Sequence, residues 1–279
     1  MGALGAFAEV CAQSRLDADL SDVDAVRRTL AEKRPDVVVN AAAYNDVDGA
    51  EANPELAMRV NGESVGQLGE MCRAAKVGLV HYSTDFVFDG EQQAAYRETD
   101  ATNPISAYGR SKLAGEKALA EAPALVIRTA WVFGLRRKSF VSTILRAARK
   151  EKSLAVVADQ IGSPTFCRDL AVGTAMILHD MQKDPHGQIR DARGVYHVAN
   201  AGFASRHDLA TAALDLDPRA HEHVAQEVVP IATSARPAPA RRPARAVLDC
   251  GRVAERFGVR LPEWRGALAR ALADFVWYV

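Results

Sequence analysis

Short apolar segments recur along the first half of the chain and indicate β-strands. They are rich in Val, Leu, Ile and Ala and contain few charged residues, which is typical of strands covered on both faces in a parallel sheet. Strands are predicted at residues 9–12, 37–41, 79–83 and 124–134.

The segments between these strands have the composition and spacing of helices. Ser21 or Asp22 is a suitable cap for a helix through Val26. Further helices are expected at 53–76 and 108–122. The first of these two is expected to direct inward a set of apolar residues at helical spacing, namely Leu56, Val60, Val65, Leu68 and Cys72.

Strand and helix therefore alternate over residues 9–134, which indicates a parallel sheet with helices on both faces. The sequence thus predicts an α/β fold, a Rossmann-like doubly wound parallel sheet. After Gly134 the pattern is less regular, with helices expected at 138–150, 168–181 and 264–273 and strands at 154–157 and 194–199. The length fits one α/β domain with an appended smaller lobe.

A proline- and arginine-rich segment, residues 236–245, has neither a helix nor a strand pattern and is predicted to be extended. One interpretation is a solvated linker. The other is a cationic strap over an anionic ligand such as a pyrophosphate, because Arg side chains bind phosphate groups through charge-assisted hydrogen bonds.

Composition limits the classes of partner. The 279 residues include 35 Lys+Arg and 35 Asp+Glu, so no overall positive field attracts nucleic acid. No apolar run approaches the roughly 20 residues that cross a membrane, and the N-terminus has no signal-peptide pattern. The four cysteines form no C-x-x-C, so neither a zinc site nor a disulfide framework is indicated. We expect a cytoplasmic protein that binds neither nucleic acid nor membrane.

The main candidate for chemistry is a pair of residues, Tyr108 and Lys112, four positions apart in a predicted helix. Residues at this spacing lie on one helix face, so the lysine ammonium is expected near the phenol. A neighbouring positive charge lowers the pKa of a tyrosine, and such a phenol can exchange a proton near neutral pH. The pair alone also fits an ordinary amphipathic helix.

A second observation favours a catalytic site. The strand at 79–83 ends in three polar residues, Ser83, Thr84 and Asp85. Ligands of α/β proteins bind at the carboxyl ends of parallel strands, so these side chains are expected at a binding edge.

One element typical of dinucleotide-binding domains is not found. Such domains open with an apolar strand and a Gly-rich turn that holds the pyrophosphate at a helix N-terminus. Gly2 and Gly5 have part of the glycine spacing, but no strand precedes them. We expect that the sequence begins partway through the first helix, because the natural start lies upstream or because the first strand and phosphate loop have been lost. A chain without them is expected to be poorly stable or weakly active.

Longer motifs resemble one family in their residues and in their order. The motifs are VVVNAAAYNDVDGAE (37–51), VHYSTDFVFDG (80–90), ETDATNPISAYGRSKLAGEKA (98–118), IRTAWVFG (127–134) and DQIGSPT (159–165), with ARRP and LPEW near the end. With them the chain resembles the dTDP-4-dehydrorhamnose reductases, extended short-chain dehydrogenases/reductases, over nearly its whole length.

The resemblance implies a reaction and roles for several residues. A nicotinamide cofactor delivers hydride to the 4-keto carbon of dTDP-6-deoxy-L-lyxo-4-hexulose, and the product is dTDP-L-rhamnose. Tyr108 is implied to protonate the developing alkoxide, and Lys112 to hold the cofactor ribose and depress the tyrosine pKa. Thr84 is implied to donate a hydrogen bond to the same oxygen. Asp85 is implied to orient the sugar or the Thr84 hydroxyl, and Trp131 to contact the nucleotide-sugar.

The resemblance also implies the domain division and the cofactor wall. Residues 1–150 correspond to an NAD(P)-binding Rossmann-like domain, and residues 151–279 mainly to a substrate-binding lobe with segments returning to the first domain. The cofactor-binding positions form two groups. Ala43, Tyr44 and Asn45 correspond to a wall along the cofactor, and Asp19 and Leu20 correspond to a loop on its adenine side. Simpler interpretations stay open, since Asp19 also fits a helix start and Trp131 a core position.

Cofactor preference is partly encoded in the sequence. An acidic residue after the second strand binds the ribose 2′-hydroxyl of NAD, whereas an arginine accommodates the 2′-phosphate of NADP. Here Arg15 follows the predicted strand at 9–12 without an adjacent carboxylate. We predict a preference for NADPH, with NADH as the alternative.

Two other functions stay open. A non-catalytic regulatory subunit can have the same fold, as the regulatory subunit of methionine adenosyltransferase does, but that role does not require Thr84, Tyr108 and Lys112 together. Another nucleotide-sugar reductase, epimerase or dehydratase is the second alternative, although a dehydratase requires an acidic pair where only Asp85 is present. No metal-ligand spacing is found, so no metal site is predicted. A Mg²⁺ ion, found at a subunit interface in some relatives, and a homodimer stay open.

Overall fold

The structure is a computed structural model that describes residues 2–275. In chain order the strands are β1 (Val37–Asn40), β2 (Gly78–Thr84), β3 (Ala124–Thr129), β4 (Val132–Phe133), β5 (Ser153–Val157), β6 (Ile161–Gly162), β7 (Thr165–Phe166), β8 (Gly194–His197), β9 (Ala204–Ser205), β10 (Glu227–Ile231) and β11 (Arg245–Ala246). The helices are α1 (Val23–Lys33), α2 (Val47–Ala52), α3 (Pro54–Met58), α4 (Ser64–Ala75), α5 (Ala107–Ala118), α6 (Phe140–Ala148), α7 (Cys167–His179), α8 (Pro185–Asp191), α9 (Arg206–Asp215), α10 (Gly251–Phe257) and α11 (Trp264–Phe275).

A parallel sheet with the strand order β1-β2-β3-β8 forms the centre of the fold. Successive side chains of a strand point to opposite faces, so Leu79 and Val80 enter different cores. Leu79 packs with Val65 and Leu68 of α4, and Val80 packs with Ile177 of α7. Helices therefore cover both faces, which confirms the predicted α/β, Rossmann-like doubly wound sheet.

The strand prediction for 124–134 is correct only in its first part. β3 ends at Thr129, and Trp131 has a φ of 45°, in the left-handed region. An L-residue in this region turns the chain away from an extended path, so the ladder cannot continue. The next two residues form β4, which pairs with β7 instead of the central sheet.

The predicted strand at residues 9–12 is wrong. This segment has no regular structure, and β1, the first strand, pairs only with β2 within residues 2–275. A strand needs a neighbour for its backbone N–H and C=O groups, and no described strand lies beside 9–12. Upstream of it the described residues form a 3₁₀ turn at Leu4–Ala6, and Met1 lies outside them.

The second half adds small sheets and returns to the central one. β5 pairs with β10, β6 lies between β11 and β9, and α6, α9 and α11 pack around these strands. β8 returns to the central sheet beside β3. Residues 236–244 contain no helix or strand, as expected for the proline- and arginine-rich segment. Among the described residues, no helix combines the length and apolar character needed to cross a membrane.

Candidate active site

The carboxyl end of β2 carries a hydroxyl and a carboxyl group side by side. Oγ1 of Thr84 donates to Oδ1 of Asp85 at 3.0 Å and accepts from the backbone N–H of Phe86 at 3.2 Å. Both side chains are buried. Burial raises the pKa of Asp85 to about 7, while the Thr84 hydroxyl and the charge of Arg206 act in the opposite direction.

Tyr108 lies in the first turn of α5, close to this strand end. Ser106 caps the helix by accepting from the N–H of Gly109 at 3.1 Å. Gly109 is required here, because a Cβ at this position would collide with the carbonyl oxygen of Phe86. The close approach lets the Tyr108 ring pack edge-to-face on Phe86 at 5.5 Å and brings its hydroxyl near enough to Thr84 for that side chain to influence the pKa of Tyr108. The structure thus brings Thr84 and Tyr108 together, as the sequence predicted.

The predicted lowering of the Tyr108 pKa by Lys112 is wrong for this structure. Burial raises the pKa of Tyr108 to about 12, the nearby Thr84 side chain opposes this rise, and the charge of Asp85 adds to it. Desolvation disfavours the phenolate more strongly than neighbouring groups favour it. The buried phenol therefore keeps its proton at neutral pH.

Lys112 is buried below Tyr108 on α5, with only 2% of its surface exposed. Its Nζ donates to the carbonyl oxygen of Tyr82 at 2.7 Å and lies 3.2 Å from Nε2 of His81. Burial lowers the pKa of Lys112 to about 8, and the charge of Glu116 acts in the opposite direction. The ammonium is thus directed at β2.

A buried ion pair is formed by α5 one helical turn after Lys112. Nη2 of Arg128 lies 2.6 Å from Oε2 of Glu116, and both side chains are 4% exposed. Ser83 donates a further hydrogen bond to Glu116. His81 and Ser83 are two residues apart and therefore lie on the same face of β2. His81 contacts Lys112 and Ser83 contacts Glu116, and these two partners are four residues apart on α5. Sequence reasoning missed His81, Glu116 and Arg128, although polar residues within apolar strands are a signal for buried pairs.

The predicted cofactor wall is fixed by a residue that the sequence analysis missed. Asn61 lies in a π-helical turn, Arg59–Glu63, and is fully buried. Its amide accepts from the N–H of Tyr44 at 2.8 Å and donates to the carbonyl of Tyr44 at 3.0 Å and to Oγ of Ser111 at 3.0 Å. It therefore ties the wall segment to α5. Ala43 and Tyr44 are half-buried, and Asn45 is exposed.

The predicted adenine-side residues form local contacts. Asp19 accepts from the N–H and hydroxyl of Ser21 and from Nε of Arg15, which lies 2.7 Å away. These bonds lower the pKa of Asp19 to about 2. Leu20 is half-buried against the core that contains Val26, and the side chain of Arg15 is 85% exposed.

Trp131 packs against the core cluster that contains Val87 and Phe88, which follow Asp85 closely in the chain. The guanidinium of Arg206 stacks on its indole at 3.5 Å, and its charge lowers the pKa of Asp85. Arg242, in the proline- and arginine-rich segment, lies near enough to Arg206 for their charges to interact. It is held by Asp48 of α2 at 2.8 Å. The structure therefore adds two arginines that sequence reasoning did not assign to the site individually.

We expect Gly162→Ala to disturb Trp131. A Cβ at residue 162 would lie 2.5 Å from Cε2 of the Trp131 indole, so the ring must move. Overpacking of this kind costs about 1–3 kcal/mol, and urea unfolding is expected to show a loss of that size together with altered near-UV circular dichroism. Gly266→Ala is the matched control, because its added Cβ would meet only the end of the Arg270 side chain at 3.8 Å, an ordinary contact distance. An unchanged stability and spectrum for Gly162→Ala would contradict the role of Gly162.

The residues present fit the nicotinamide-ribose end of a dinucleotide. Ala41 and Ala42 are small and exposed just past β1, and an ammonium at Lys112 has three N–H groups, of which the described contacts use at most two. Gly2 and Gly5 have open space around them, unlike the crowded backbone of a phosphate-binding turn. Among the described residues, no group of three or more His, Cys, Asp or Glu is placed to hold a metal ion.

These features define the class of the protein. A doubly wound parallel sheet, with a hydroxyl residue at a strand end and Tyr108 and Lys112 on the following helix, is the arrangement of an extended short-chain dehydrogenase/reductase. The sequence profile described as the RmlD substrate binding domain matches residues 4–277, and the chain belongs to that family. The family indicated by the sequence motifs is confirmed.

Named relatives resemble the chain over both of its halves. The dTDP-4-dehydrorhamnose reductase of Burkholderia thailandensis is 43% identical over 278 residues, which are 98% of this chain and 93% of the relative. The crystal structure of a dTDP-4-dehydrorhamnose reductase from Clostridium acetobutylicum superposes with a TM-score of 0.85 at 31% identity, covering 98% of this chain and 92% of that one. The enzyme from Bacillus anthracis, solved in complex with NADP, gives 0.83 at 30% identity over 94% and 89% of the two chains.

Proposed function

We propose that this protein reduces the 4-keto group of dTDP-6-deoxy-L-lyxo-4-hexulose with a nicotinamide cofactor, which yields dTDP-L-rhamnose. The observation that carries this proposal is the placement of Thr84 at the carboxyl end of β2, close enough to the Tyr108 hydroxyl to lower its pKa, with Lys112 on the same helix as Tyr108. The relatives named above carry this activity in their names.

Each group of the site has a defined task in the proposed reduction. When bound, the nicotinamide supplies the hydride, and the cofactor would lie along Ala43 and Tyr44 with its ribose near Lys112. The phenol of Tyr108 is protonated at neutral pH, as a general acid must be, and gives its proton to the oxygen at C4. The Thr84 hydroxyl, which donates to Asp85 in the structure, would turn its single hydrogen to the same oxygen as negative charge develops there.

Asp85 and the arginines are suited to the rest of the substrate. With its pKa near 7, Asp85 is partly protonated at neutral pH, so it holds the Thr84 hydroxyl hydrogen less firmly than a full carboxylate would and places less negative charge beside the reacting oxygen. Arg206 and Arg242 together form a positive region beside Trp131 that suits a pyrophosphate. This supports the strap interpretation of residues 236–245.

The position of these groups supports the proposed domain division. Tyr108 and Thr84 belong to residues 1–150, which we propose to bind the cofactor. Arg206 and Arg242 belong to residues 151–279, which we propose to bind mainly the nucleotide-sugar. Since the charge of Arg206 is felt by the Asp85 carboxyl group, the second half approaches the candidate site of the first.

The proposal is tested by adding the 4-keto sugar nucleotide to the purified protein with NADPH and following the loss of absorbance of the reduced cofactor. Product formation is checked by chromatography against dTDP-L-rhamnose. Turnover with UDP-linked but not dTDP-linked sugars would favour another nucleotide-sugar reductase. Absence of turnover despite measurable cofactor binding would favour the non-catalytic subunit.

We expect Thr84→Val to lower kcat for this reduction by roughly 10²- to 10³-fold, the usual effect of removing one donor to a developing oxyanion. Valine has nearly the shape of threonine, so KM for the cofactor is expected to stay close to that of the wild type. Thr84→Ser, which retains the hydroxyl, is expected to keep most of the activity. Equal losses for both variants would argue for a packing role of the methyl group.

NADPH is the proposed physiological cofactor, and Arg15 is the residue proposed to select it. Its exposed pair with Asp19 is worth about 1 kcal/mol or less, so the guanidinium is free to turn to a 2′-phosphate. Arg15→Ala is expected to reduce the ratio of kcat/KM for NADPH over NADH by about 10- to 100-fold, which corresponds to one lost charged hydrogen bond. Equal efficiency of the wild type with both cofactors, or an unchanged ratio in the variant, would contradict this assignment.

A further inference from the structure

His81 is a fully buried titratable side chain that the proposed reaction does not use. It lies on β2 and faces α5. Both of its ring nitrogens lie within hydrogen-bond distance of another side chain, since Nδ1 is 3.0 Å from Nδ2 of Asn40 and Nε2 is 3.2 Å from Nζ of Lys112. His81 thus links the end of β1 to the lysine of the active-site helix.

The backbone determines how the Asn40 amide is oriented. The N–H of Ala42 donates to Oδ1 of Asn40 at 3.0 Å, and an N–H group can donate only to the oxygen of an amide. The NH₂ group of Asn40 is therefore directed at His81, where Nδ1 must accept. In a neutral imidazole with one accepting nitrogen, the other nitrogen carries the proton. The Nε2–H group of His81 consequently faces Lys112.

An Nε2–H group in this position has only one favourable partner. It needs a lone pair, which the neutral amine of a lysine possesses and the ammonium does not. The amine of Lys112 can accept from His81 and still donate to the carbonyl of Tyr82 at 2.7 Å. The ammonium, in contrast, places two N–H donors against each other, and at 2% exposure of Lys112 water cannot relieve the conflict.

We propose that His81 is a positioning residue, which Asn40 holds in the Nε2–H tautomer and which thereby favours the neutral amine of Lys112 over the ammonium. Its significance for the reduction rests on the proposed function. A lysine beside the general acid then changes its charge within the pH range of catalysis instead of staying an ammonium throughout.

The charges around the pair agree with this assignment. Burial keeps the pKa of His81 well below its usual value, and a charge on Lys112 lowers it further, so the ring is neutral with either form of the lysine. On α5, Glu116 favours the ammonium of Lys112, but its own charge is compensated by Arg128. The phenol of Tyr108 on the same helix is neutral. Among the described contacts of Lys112, the hydrogen bond from His81 is therefore the one that distinguishes the neutral amine from the ammonium.

The tautomer is measured directly in the wild-type protein by long-range ¹H–¹⁵N NMR of the histidine rings. We expect the His81 ring to be neutral with its proton on Nε2 between about pH 5 and 9. The charge of Lys112 is followed through the ¹³Cε shift of labelled lysine, with Lys112→Arg to assign the signal. A ring proton on Nδ1, or a charged ring in this range, would overturn the proposal. The tautomer is measured on the wild-type protein, so this test does not depend on whether a variant folds.

Asn40→Asp reverses the direction of the hydrogen bond between residue 40 and His81 with almost no change in the shape of the side chain. A carboxylate accepts from both Ala42 and His81, so the ring proton moves to Nδ1 and Nε2 accepts from the ammonium of Lys112. The titration midpoint of Lys112 is expected to rise by at least about one pH unit, a tenfold gain in proton affinity. An unchanged midpoint would contradict the proposal.

A double variant separates the tautomer from the added charge. In His81→Gln with Asn40→Asp, the carboxylate is present without the ring, so the rise is expected to be markedly smaller. A rise of the same size would assign the effect to charge alone and overturn the proposal. His197→Gln is the matched control, because this buried histidine contacts the carbonyls of Tyr96 and Asp249 and should leave the Lys112 titration unchanged.

The two proposals fail in distinguishable ways. The NMR titrations need no substrate, so the expected tautomer in a protein that does not reduce the 4-keto sugar would reject the proposed function and support the role of His81. Reduction by a protein whose His81 carries its proton on Nδ1 would reject the role of His81 and support the proposed function.

Discussion

Tyr108→Phe is expected to lower kcat for reduction of the 4-keto sugar by roughly 10²- to 10⁴-fold, the range in which a positioned general acid contributes. The phenylalanine ring still packs on Phe86, but no proton donor remains beside Thr84. The loss of one hydrogen bond is expected to change the free energy of unfolding by only about 1 kcal/mol. Steady-state kinetics and urea unfolding of the same preparation measure both effects.

Tyr196→Phe is the matched control for this variant. The Tyr196 hydroxyl is also in a buried residue and donates to the carbonyl of Ala192 at 2.8 Å, outside the candidate site. A similar small loss of stability with unchanged kcat is expected. A Tyr108→Phe protein that retains wild-type kcat would show that another group supplies the proton.

Glu116→Gln is expected to lower the free energy of unfolding by about 3–5 kcal/mol. The reason is that the Arg128 guanidinium stays buried at 4% exposure without an opposite charge, and the removal of one partner from a buried pair has a cost of this size. Arg128 also has a second amino group, Nη1, without a described hydrogen-bond partner, so little local compensation is at hand. Equilibrium urea unfolding, monitored by circular dichroism, provides the measurement.

Glu70→Gln tests whether burial causes the effect. Glu70 and Arg73 form an ion pair of similar type on α4, but their side chains are 64% and 58% exposed. Exposed pairs contribute about 1 kcal/mol or less, so this variant is expected to unfold almost as the wild type does. Comparable losses in the two variants would mean that the buried position of Glu116 is not decisive.

The parts of the fold that depend on local sequence periodicity could be predicted. Apolar runs indicated β1, β2 and β3, and helical spacing indicated α4 and α5 with Val65, Leu68 and Cys72 directed inward. The candidate catalytic residues were found in the same way, because Tyr108 and Lys112 are one helical turn apart and Thr84 follows a buried strand. Each of these inferences requires only neighbours within a few residues.

The errors concern positions where distant segments decide the outcome. Residues 9–12 have the composition of a strand, but a strand forms only beside another strand, and none of the described strands lies there. The end of β3 depends on the left-handed backbone of Trp131, for which its own sequence gave no signal. The raised pKa of Tyr108 comes from burial by surrounding elements, which outweighs any effect of its neighbour on the helix.

By itself the sequence determined the alternating α/β pattern, because spacing along the chain encodes which side chains share a face. Its longer motifs indicated the family, and it offered Thr84, Tyr108 and Lys112 as candidate site residues. Only the tertiary structure decided that Lys112 is directed at His81 and Tyr82, and that Arg206 of the second half stacks on Trp131. Such contacts join segments that are far apart in the chain. The packing of helices on the sheet brings them together and removes the water that would otherwise weaken their charges and hydrogen bonds.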